Sequence, residues 1–232
     1  MISESDLRAR FRRFDIRLFT SPFKLLPELR KAGVLVPLFQ RDGEWRVLLT
    51  KRASHLRVHS GEVAFPGGKQ DDGDTDEVAA ALREAEEEIG LNPEDVRIVA
   101  VFLPSYVTKN IVVTAVLGLI PSDFVPNINT EEVEKTFDLP LRRFLETDFT
   151  IYKIPFHGKI ACVHSFADEC NGDTFITFGY TAMYCMRVAV VAYQADTRMQ
   201  FIEGIWTTKD DAFYARGNFL NVFLEDKRSS NL

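Results

Sequence analysis

Runs of apolar residues alternate with polar turns along the chain and predict short strands mixed with a few helices. The first two runs are separated by Asp42-Gly43, a dipeptide typical of a tight hairpin turn. The basic, polar stretch 51–60 is predicted to be a loop. Segments rich in Val, Ile and aromatic residues predict strands at 33–39, 45–50, 62–65, 96–103, 111–120, 149–154 and 160–166.

The clearest helix is predicted over residues 76–89. Asp74 and Glu77 have the spacing of a capping box, and Gly90 is placed to end the helix. Its apolar residues recur at helical spacing and predict one buried stripe, namely Val78, Ala81, Leu82, Ala85 and Ile89. Weaker patterns predict a short helix at 140–147 and a longer one at 178–191, although 188–191 also suits a strand.

Strands and helices do not alternate regularly, so we expect an α+β fold (α/β in the broad sense) with a mixed sheet between helices. No linker composition interrupts the 232 residues. We therefore expect one domain over 1–232, with an N-terminal extension over about 1–30 and a C-terminal tail.

Composition excludes several functions. The net charge of -6 argues against a nucleic-acid partner, which would require a basic surface. The longest apolar stretches fall short of the roughly 18 residues of a membrane span, so no membrane association is expected. The chain has three cysteines and no C-x-x-C pair, which favours reduced thiols over disulfides or a zinc knuckle.

The most informative segment contains four glutamates on the predicted helix. With about 100° per residue, Glu84, Glu87 and Glu88 share one face, whereas Glu86 points to the opposite side. The apolar stripe lies beside Glu84 and Glu88, so their carboxylates would repel one another and lose hydration unless a cation offset them. Oxygen ligands of this kind suit Mg²⁺ or Mn²⁺.

A run of glutamates is often only a solvated helix face, but the residues upstream favour a site. Pro66-Gly67-Gly68 would let the backbone approach a ligand closely. A local basic cluster surrounds this turn, comprising Lys51, Arg52, His55, Arg57, His59 and Lys69. Such a cluster on an acidic protein suits a phosphate-containing substrate.

Two motifs in this region resemble a known family. The segment from Gly68 to Arg83-Glu84-Ala85-x-Glu87-Glu88-Ile89-Gly90 resembles the Nudix box, with one extra residue between the first Gly and the Arg. The acid expected midway in the box is Asp74, Asp76 or Glu77. The stretch 48–68, Leu-Leu-Thr-Lys-Arg through Phe-Pro-Gly-Gly, resembles the signature of coenzyme A pyrophosphatases of this family, with Ala53 in place of the usual Ser. Weaker similarity extends the match from residue 33 to 182.

The resemblance implies a Nudix fold with a loop-helix-loop metal site and hydrolysis of the pyrophosphate bond of coenzyme A or its derivatives. The products would be 3′,5′-ADP and 4′-phosphopantetheine or its acyl form. The implied metal ligands of Mg²⁺ or Mn²⁺ are Glu84, Glu87, Glu88 and a backbone carbonyl at Gly67 or Gly68. Arg83 would fix the loop by pairing with an acid. The first candidate for the general base is Glu87, with Glu131 or Glu132 as the alternative. The implied substrate-binding residues are Arg52, Arg57, His59 and Lys69.

Several alternatives stay open at this stage. The substrate could be ADP-ribose or a dinucleotide polyphosphate, or the chain could be a non-catalytic nucleotide-binding module. His55 and His59 have the spacing of a zinc pair on a helix, but no third ligand lies near them in sequence. Ser230-Asn231-Leu232 resembles a peroxisomal C-terminal signal, so we expect a peroxisomal import receptor as a partner, with the cytoplasm or mitochondrion as alternative locations.

Overall fold

The computed structural model describes residues 2–18, 29–108, 110–156 and 158–213, and its centre is a mixed eight-stranded sheet. Its main path has the order β3-β2-β1-β7-β5, while β4 pairs with β1, β6 with β7 and β8 with β2. β1 and β7 are parallel, and the other pairs are antiparallel. The strands are β1 (Arg30–Arg41), β2 (Glu44–Arg52), β3 (Val63–Ala64), β4 (Gly67–Lys69), β5 (Arg97–Val101), β6 (Ser105–Thr108), β7 (Ile111–Leu119) and β8 (Val133–Pro140).

A second sheet of five strands follows in the chain. β9 and β10 form one hairpin, β10 and β11 another, and β12 and β13 a third that joins β10. The strands are β9 (Thr150–Phe156), β10 (Lys159–Cys170), β11 (Asp173–Phe178), β12 (Met199–Ile202) and β13 (Ile205–Thr207).

The described part of the chain contains three α-helices, α1 (Glu4–Phe11), α2 (Glu77–Ile89) and α3 (Gly179–Tyr193). Short 3-10 helices occur at Arg12–Phe14, Ile16–Leu18, Pro93–Asp95 and Leu141–Leu145. None of the described helices is long and apolar enough to cross a bilayer.

The two faces of the first sheet are covered by different helices. Neighbouring residues of β1 project to opposite faces, so Val36 belongs to the core shared with α1 and α3, and Leu35 to the core shared with α2. A mixed sheet therefore lies between helices, and the expected α+β architecture is confirmed.

The predicted hairpin between β1 and β2 is confirmed. Asp42 and Gly43 both have positive φ angles, 53° and 77°, as a two-residue turn of the I′ type requires. The strand alternative for residues 188–191 is wrong, because α3 continues to Tyr193 with its apolar side chains buried on nearly every side.

Other element predictions were incomplete. The helix predicted at 140–147 is a 3-10 helix, Leu141–Leu145. No element had been predicted for α1, although Leu7, Phe11 and Phe14 recur at helical spacing and are all buried in the core with α3. The strands β4, β6, β8, β11, β12 and β13 were also not predicted.

Strands β1 and β2 separate in one part of the first sheet, and the short strands β3 and β4 lie between them there. β3 pairs with Thr50 and Lys51 of β2, whereas β4 pairs with residues Ala32 to Val34 of β1. The turn that joins β3 to β4 carries Pro66, and α2 packs against both β1 and β4. This arrangement brings together the segment Pro66-Gly67-Gly68 (the glycine turn), the loop after β2 and helix α2.

Candidate active site

The position of α2 is fixed at both ends by its own sequence. Asp76 is the N-cap, and its side chain accepts hydrogen bonds from the amides of Val78 and Ala79 at 2.9 and 2.8 Å. At the other end Gly90 adopts a left-handed conformation with φ 70°, as predicted. The predicted capping box with Asp74 is wrong, because the Asp74 carboxylate instead binds the guanidinium of Arg83.

Three carboxylates converge beside this helix. Glu84, Glu88 and Glu132 each offer an oxygen within 4.8 Å of the others. The Glu88 side chain is 2% exposed and that of Glu84 17%. Glu132 comes from the loop before β8, which is held against the end of α2 by hydrogen bonds from Asn127 and Asn129 to backbone oxygens of the helix.

Glu87 lies outside this cluster of three. Its side chain is 51% exposed, and Oε2 accepts a hydrogen bond from Nη1 of Arg83 at 3.2 Å. The helical wheel thus places Glu84 and Glu88 together as predicted, while the third converging acid comes from a distant loop. Sequence reasoning had named Glu132 only as an alternative base.

The glycine turn forms the wall opposite α2. The Gly67 amide donates a hydrogen bond to Oε2 of Glu88 at 3.2 Å. A Cβ atom on Gly68 would lie 2.3 Å from Oε1 of Glu84, far inside van der Waals contact. Residue 68 must therefore lack a side chain for the Glu84 carboxylate to occupy its place, as the predicted close approach of the backbone requires.

Burial strongly affects the acids of the cluster. Loss of hydration raises the pKa of Glu88 to about 7, against the opposing effects of the Arg52 charge and the Gly67 amide. Burial also raises the pKa of Glu84, although the Arg83 charge opposes this. A bound cation would stabilise the ionised forms of these neighbouring carboxylates. A set of donors that are all oxygen atoms suits Mg²⁺ or Mn²⁺. The residues present therefore fit a hard divalent ion.

Arg52 is the basic residue that contacts Glu88, the most buried acid of the cluster. Its Nη1 lies 3.4 Å from Oε1 of Glu88, and its Nε is buried without a hydrogen-bond partner among the described residues. A guanidinium at the edge of a carboxylate cluster can bind the phosphate of a ligand at the same place.

Arg83 fastens the loop after β4 to α2. Its guanidinium binds Asp74 through two hydrogen bonds, the backbone oxygen of Lys69 at 3.1 Å, and Glu84 and Glu87 at 3.2 Å each. The bonds from Arg83 lower the pKa of Asp74. Arg83 is thus paired with acids, as the sequence predicted.

The other basic residues predicted to bind substrate lie on the surface. Arg57, His59 and Lys69 are exposed, and Nδ1 of His59 is 2.8 Å from Oε2 of Glu62. His55 and His59 lie in a turn, and His59 has a positive φ of 56°, so the helical geometry required for the zinc alternative is absent from residues 51–62. The three cysteines are free thiols, as predicted.

The family assignment comes from comparison with known proteins. The profile described as "NUDIX domain" matches residues 29–160, more than half of the 232 residues. The chain belongs to the Nudix family. The matched Nudix region contains every residue of the carboxylate cluster and the glycine turn.

Curated Nudix relatives include proteins from plants and mammals. Nudix hydrolase 22, chloroplastic, of Arabidopsis thaliana is 39% identical over 179 residues, which is 75% of this chain and 58% of that protein. The chain thus spans less than two thirds of the plant protein. The peroxisomal coenzyme A diphosphatase NUDT7 of Mus musculus is 35% identical over 189 residues, covering 80% of this chain and 78% of the mouse protein. Among solved structures, the C. elegans Ap4A hydrolase binary complex is 24% identical, covers 49% of this chain and 81% of its own, and has a TM-score of 0.42.

Proposed function

We propose that this protein is a metal-dependent hydrolase that cleaves the pyrophosphate bond of coenzyme A or its derivatives, yielding 3′,5′-ADP and 4′-phosphopantetheine or its acyl form. The convergence of Glu84, Glu88 and Glu132 beside the Gly67-Gly68 turn is the observation on which the activity rests. A non-catalytic nucleotide-binding module would not require a desolvated cluster of acids.

In this proposal Glu84, Glu88 and Glu132, with a backbone carbonyl of Gly67 or Gly68, hold Mg²⁺ or Mn²⁺. When bound, such an ion neutralises pyrophosphate oxygens and lowers the pKa of a water molecule. Glu87 lies on the same helix face, but its side chain is half exposed and hydrogen-bonded to Arg83. Its carboxylate therefore lies outside the cluster. This position suits a general base that receives the proton from water, or a ligand of a further ion.

The substrate phosphates would be bound by basic residues around the cluster. Arg52 is the first candidate, because its guanidinium already lies beside Glu88. Lys69 directly follows Gly68, and Arg57 and His59 belong to the loop after β2; all three side chains are exposed and available to an anion. Arg83 has a different part, since its bonds to Asp74 and Lys69 hold the loop in position.

Two observations support coenzyme A as the substrate. The stretch 48–68, which contains Arg52 and the glycine turn, resembles the coenzyme A pyrophosphatase signature. The mouse relative named as a coenzyme A diphosphatase also aligns over 80% of this chain.

The decisive experiment is product analysis with purified protein, coenzyme A and Mg²⁺ or Mn²⁺, alongside ADP-ribose and diadenosine polyphosphates. The proposal expects metal-dependent release of 3′,5′-ADP, abolished by a chelator and by Glu84→Gln. Glu86→Gln is the matched control, since Glu86 is exposed on the same helix. Turnover of ADP-ribose alone would support pyrophosphate hydrolysis but reject coenzyme A as the substrate. No turnover of any compound would favour the non-catalytic nucleotide-binding module.

The cellular location stays a prediction. Ser230-Asn231-Leu232 lies outside the described residues, and the relatives include proteins named as peroxisomal, chloroplastic and mitochondrial. If this tripeptide directs peroxisomal import, a tagged protein that lacks it should no longer be found in the peroxisome. An unchanged location would reject the signal.

A further inference from the structure

Two lysines lie directly opposite each other on neighbouring strands beside the carboxylate cluster. Lys51 of β2 pairs with Lys135 of β8, and Lys51 is also opposite Val63 of β3, the strand that leads to the glycine turn. Like charges in directly opposite positions destabilise a sheet unless an anion offsets them. Neither lysine has a role in the proposed cleavage of the pyrophosphate, so the pair requires another explanation.

The charges of both lysines act on the same carboxylate. Nζ of Lys135 is 2.6 Å from Oδ2 of Asp173. A hydrogen bond from Lys135, together with the charges of Lys135 and Lys51, lowers the pKa of Asp173. Nζ of Lys51 also donates a hydrogen bond to Oε1 of Glu134 at 2.7 Å. A single carboxylate thus lies in the field of two ammonium groups, at a position that suits an anion of higher charge.

The ion pairs of these lysines can be exchanged for contacts with a ligand. The side chains of Lys135 and Asp173 are 45% and 44% exposed, and those of Lys51 and Glu134 are 28% and 30% exposed. Ion pairs near the surface contribute little to stability, because water competes for both partners. A phosphate monoester carries a charge of about −1.5 to −2 at pH 7 and three acceptor oxygens, so it can bind both ammonium groups at once.

The distance of the lysine pair from the cluster fits one end of coenzyme A. Lys51 directly precedes Arg52, which contacts Glu88, and Lys135 follows Glu132 by three residues. At about 3.3 Å per residue, the Cα atoms of Glu132 and Lys135 are at most roughly 10 Å apart, and a lysine side chain reaches about 6 Å. Six bonds of about 1.5 Å link the nearer phosphorus of the pyrophosphate to that of the 3′-phosphate, a span of about 6–8 Å. A substrate with its pyrophosphate at the cluster therefore has its 3′-phosphate within reach of both lysines.

We propose that Lys51 and Lys135 bind the 3′-phosphate of coenzyme A and so distinguish it from nucleotides that lack this group, such as ADP-ribose and diadenosine polyphosphates. The inference rests on the proposed function and names a specificity determinant of the same site. Asp173 and Glu134 exchange the lysines for water as the phosphate binds, and no covalent step occurs there. The adenosine half of the substrate then lies toward β8, because only that half carries the third phosphate.

The first experiment compares kcat/KM for coenzyme A and for dephospho-coenzyme A, which has the same pyrophosphate and no 3′-phosphate. The wild-type protein should prefer coenzyme A by about tenfold or more, as expected for charge-assisted hydrogen bonds. Lys51→Met and Lys135→Met should each reduce this preference, and the double variant should abolish it, while hydrolysis of dephospho-coenzyme A stays the same. Because the phosphate is bound both before and during cleavage, the loss should appear in KM and not in kcat.

Three further variants serve as controls. Lys153→Met is matched to the lysine variants, because Lys153 is an exposed lysine of a strand whose Nζ likewise pairs with an acid, Glu203, at 2.7 Å, and it should leave the preference unchanged. Asp173→Asn removes the acid that competes for Lys135 and should lower KM for coenzyme A but not for dephospho-coenzyme A. Lys135→Arg keeps the charge and should keep most of the preference. Equal kcat/KM for the two substrates in the wild-type protein, or a preference that the double variant leaves intact, would overturn the proposal.

Binding of two nucleotides separates this inference from the proposed function, because neither compound has a pyrophosphate to cleave. 3′,5′-ADP should bind the wild-type chain about tenfold or more tightly than 5′-AMP, as measured by calorimetry, and the double variant Lys51→Met/Lys135→Met should abolish the difference. If coenzyme A is not hydrolysed but this difference is found, the lysine assignment stands and the proposed reaction fails. Equal binding of the two nucleotides rejects the lysine assignment whatever the enzyme hydrolyses.

Discussion

The Glu84 carboxylate occupies the space that a side chain on residue 68 would need, with Oε1 2.3 Å from the position of a Cβ atom on Gly68. The glycine turn and α2 are thus in contact through a carboxylate and a bare backbone. This contact sets the position of Glu84 relative to Glu88, whose Oε2 is held by the neighbouring Gly67 amide. The positions of the two glycines and the two acids therefore depend on one another.

Gly68→Ala should therefore damage metal binding more than it damages the fold. The Glu84 side chain can rotate away from an added methyl group, so we expect the unfolding temperature to fall by only a few degrees. The displaced carboxylate should weaken Mn²⁺ binding at least tenfold, measured by calorimetry or Mn²⁺ electron paramagnetic resonance. Gly73→Ala is the control, since a Cβ atom there has no heavy atom within 4 Å. Unaltered metal affinity in Gly68→Ala would show that Glu84 is not a ligand.

The parts of this site on α2 could be predicted from sequence because they depend on local interactions. The spacing of the apolar residues set which face is buried, and that face determined the direction of Glu84 and Glu88. The predicted start of the helix is correct to within one residue, but the cap was assigned to Asp74 instead of Asp76, because several acids in the loop could act as the cap and only the tertiary structure shows that Asp74 binds Arg83.

The contribution of Glu132 could not be predicted in the same way. It lies 44 residues after Glu88, and it reaches the cluster because the loop before β8 forms backbone hydrogen bonds with the end of α2. A contact between segments so far apart in the chain produces no periodic pattern of residues around Glu132 from which it could be predicted. The second sheet was only partly predicted: the strands at 149–154 and 160–166 are confirmed as β9 and β10, whereas β12 and β13, with four and three residues, are too short to show an alternating pattern.

Glu132 and Glu87 should give different results when each is replaced by Gln. Glu132→Gln removes a charge from the cluster and should weaken Mn²⁺ binding about tenfold or more. Glu87→Gln should leave metal affinity nearly unchanged and lower kcat by a factor of about 10² to 10⁴, the usual contribution of a general base. Glu131→Gln serves as a control, because the Glu131 side chain is 87% exposed. Near-normal kcat in Glu87→Gln would transfer the role of base to Glu132.

The ion pair between Arg83 and Asp74 should make a pH-dependent contribution to stability. Hydrogen bonds from Arg83 lower the pKa of Asp74 in the folded protein, so the contribution is present above the unfolded-state pKa of about 3.9 and is lost as the pH falls through the folded-state pKa. Asp74→Asn should lower the unfolding temperature at pH 7 by about 2–4 °C, which corresponds to about 1 kcal/mol in a chain of this size.

The comparison requires thermal unfolding of both proteins from pH 7 to pH 3. The difference between them should narrow toward pH 3. Asp71→Asn is a suitable control, since Asp71 is 73% exposed and its carboxylate lies 3.8 Å from the same guanidinium. A difference of the same size at both ends of the pH range would contradict an ionic origin.

The cap of α2 provides a test of the fold that is independent of the chemistry. Asp76→Ala removes the acceptor for the Val78 and Ala79 amides and should destabilise the protein by about 1 kcal/mol, lowering the unfolding temperature by about 2–4 °C. Asp76→Asn keeps a capping oxygen and should have a smaller effect. Asp72→Ala, at an exposed position in the same loop, separates capping from loss of charge. Glu84 lies two turns beyond the cap, so Mn²⁺ affinity should change by less than about twofold in Asp76→Ala. A large loss of affinity there would mean that the first turn of α2 controls the position of the carboxylate cluster.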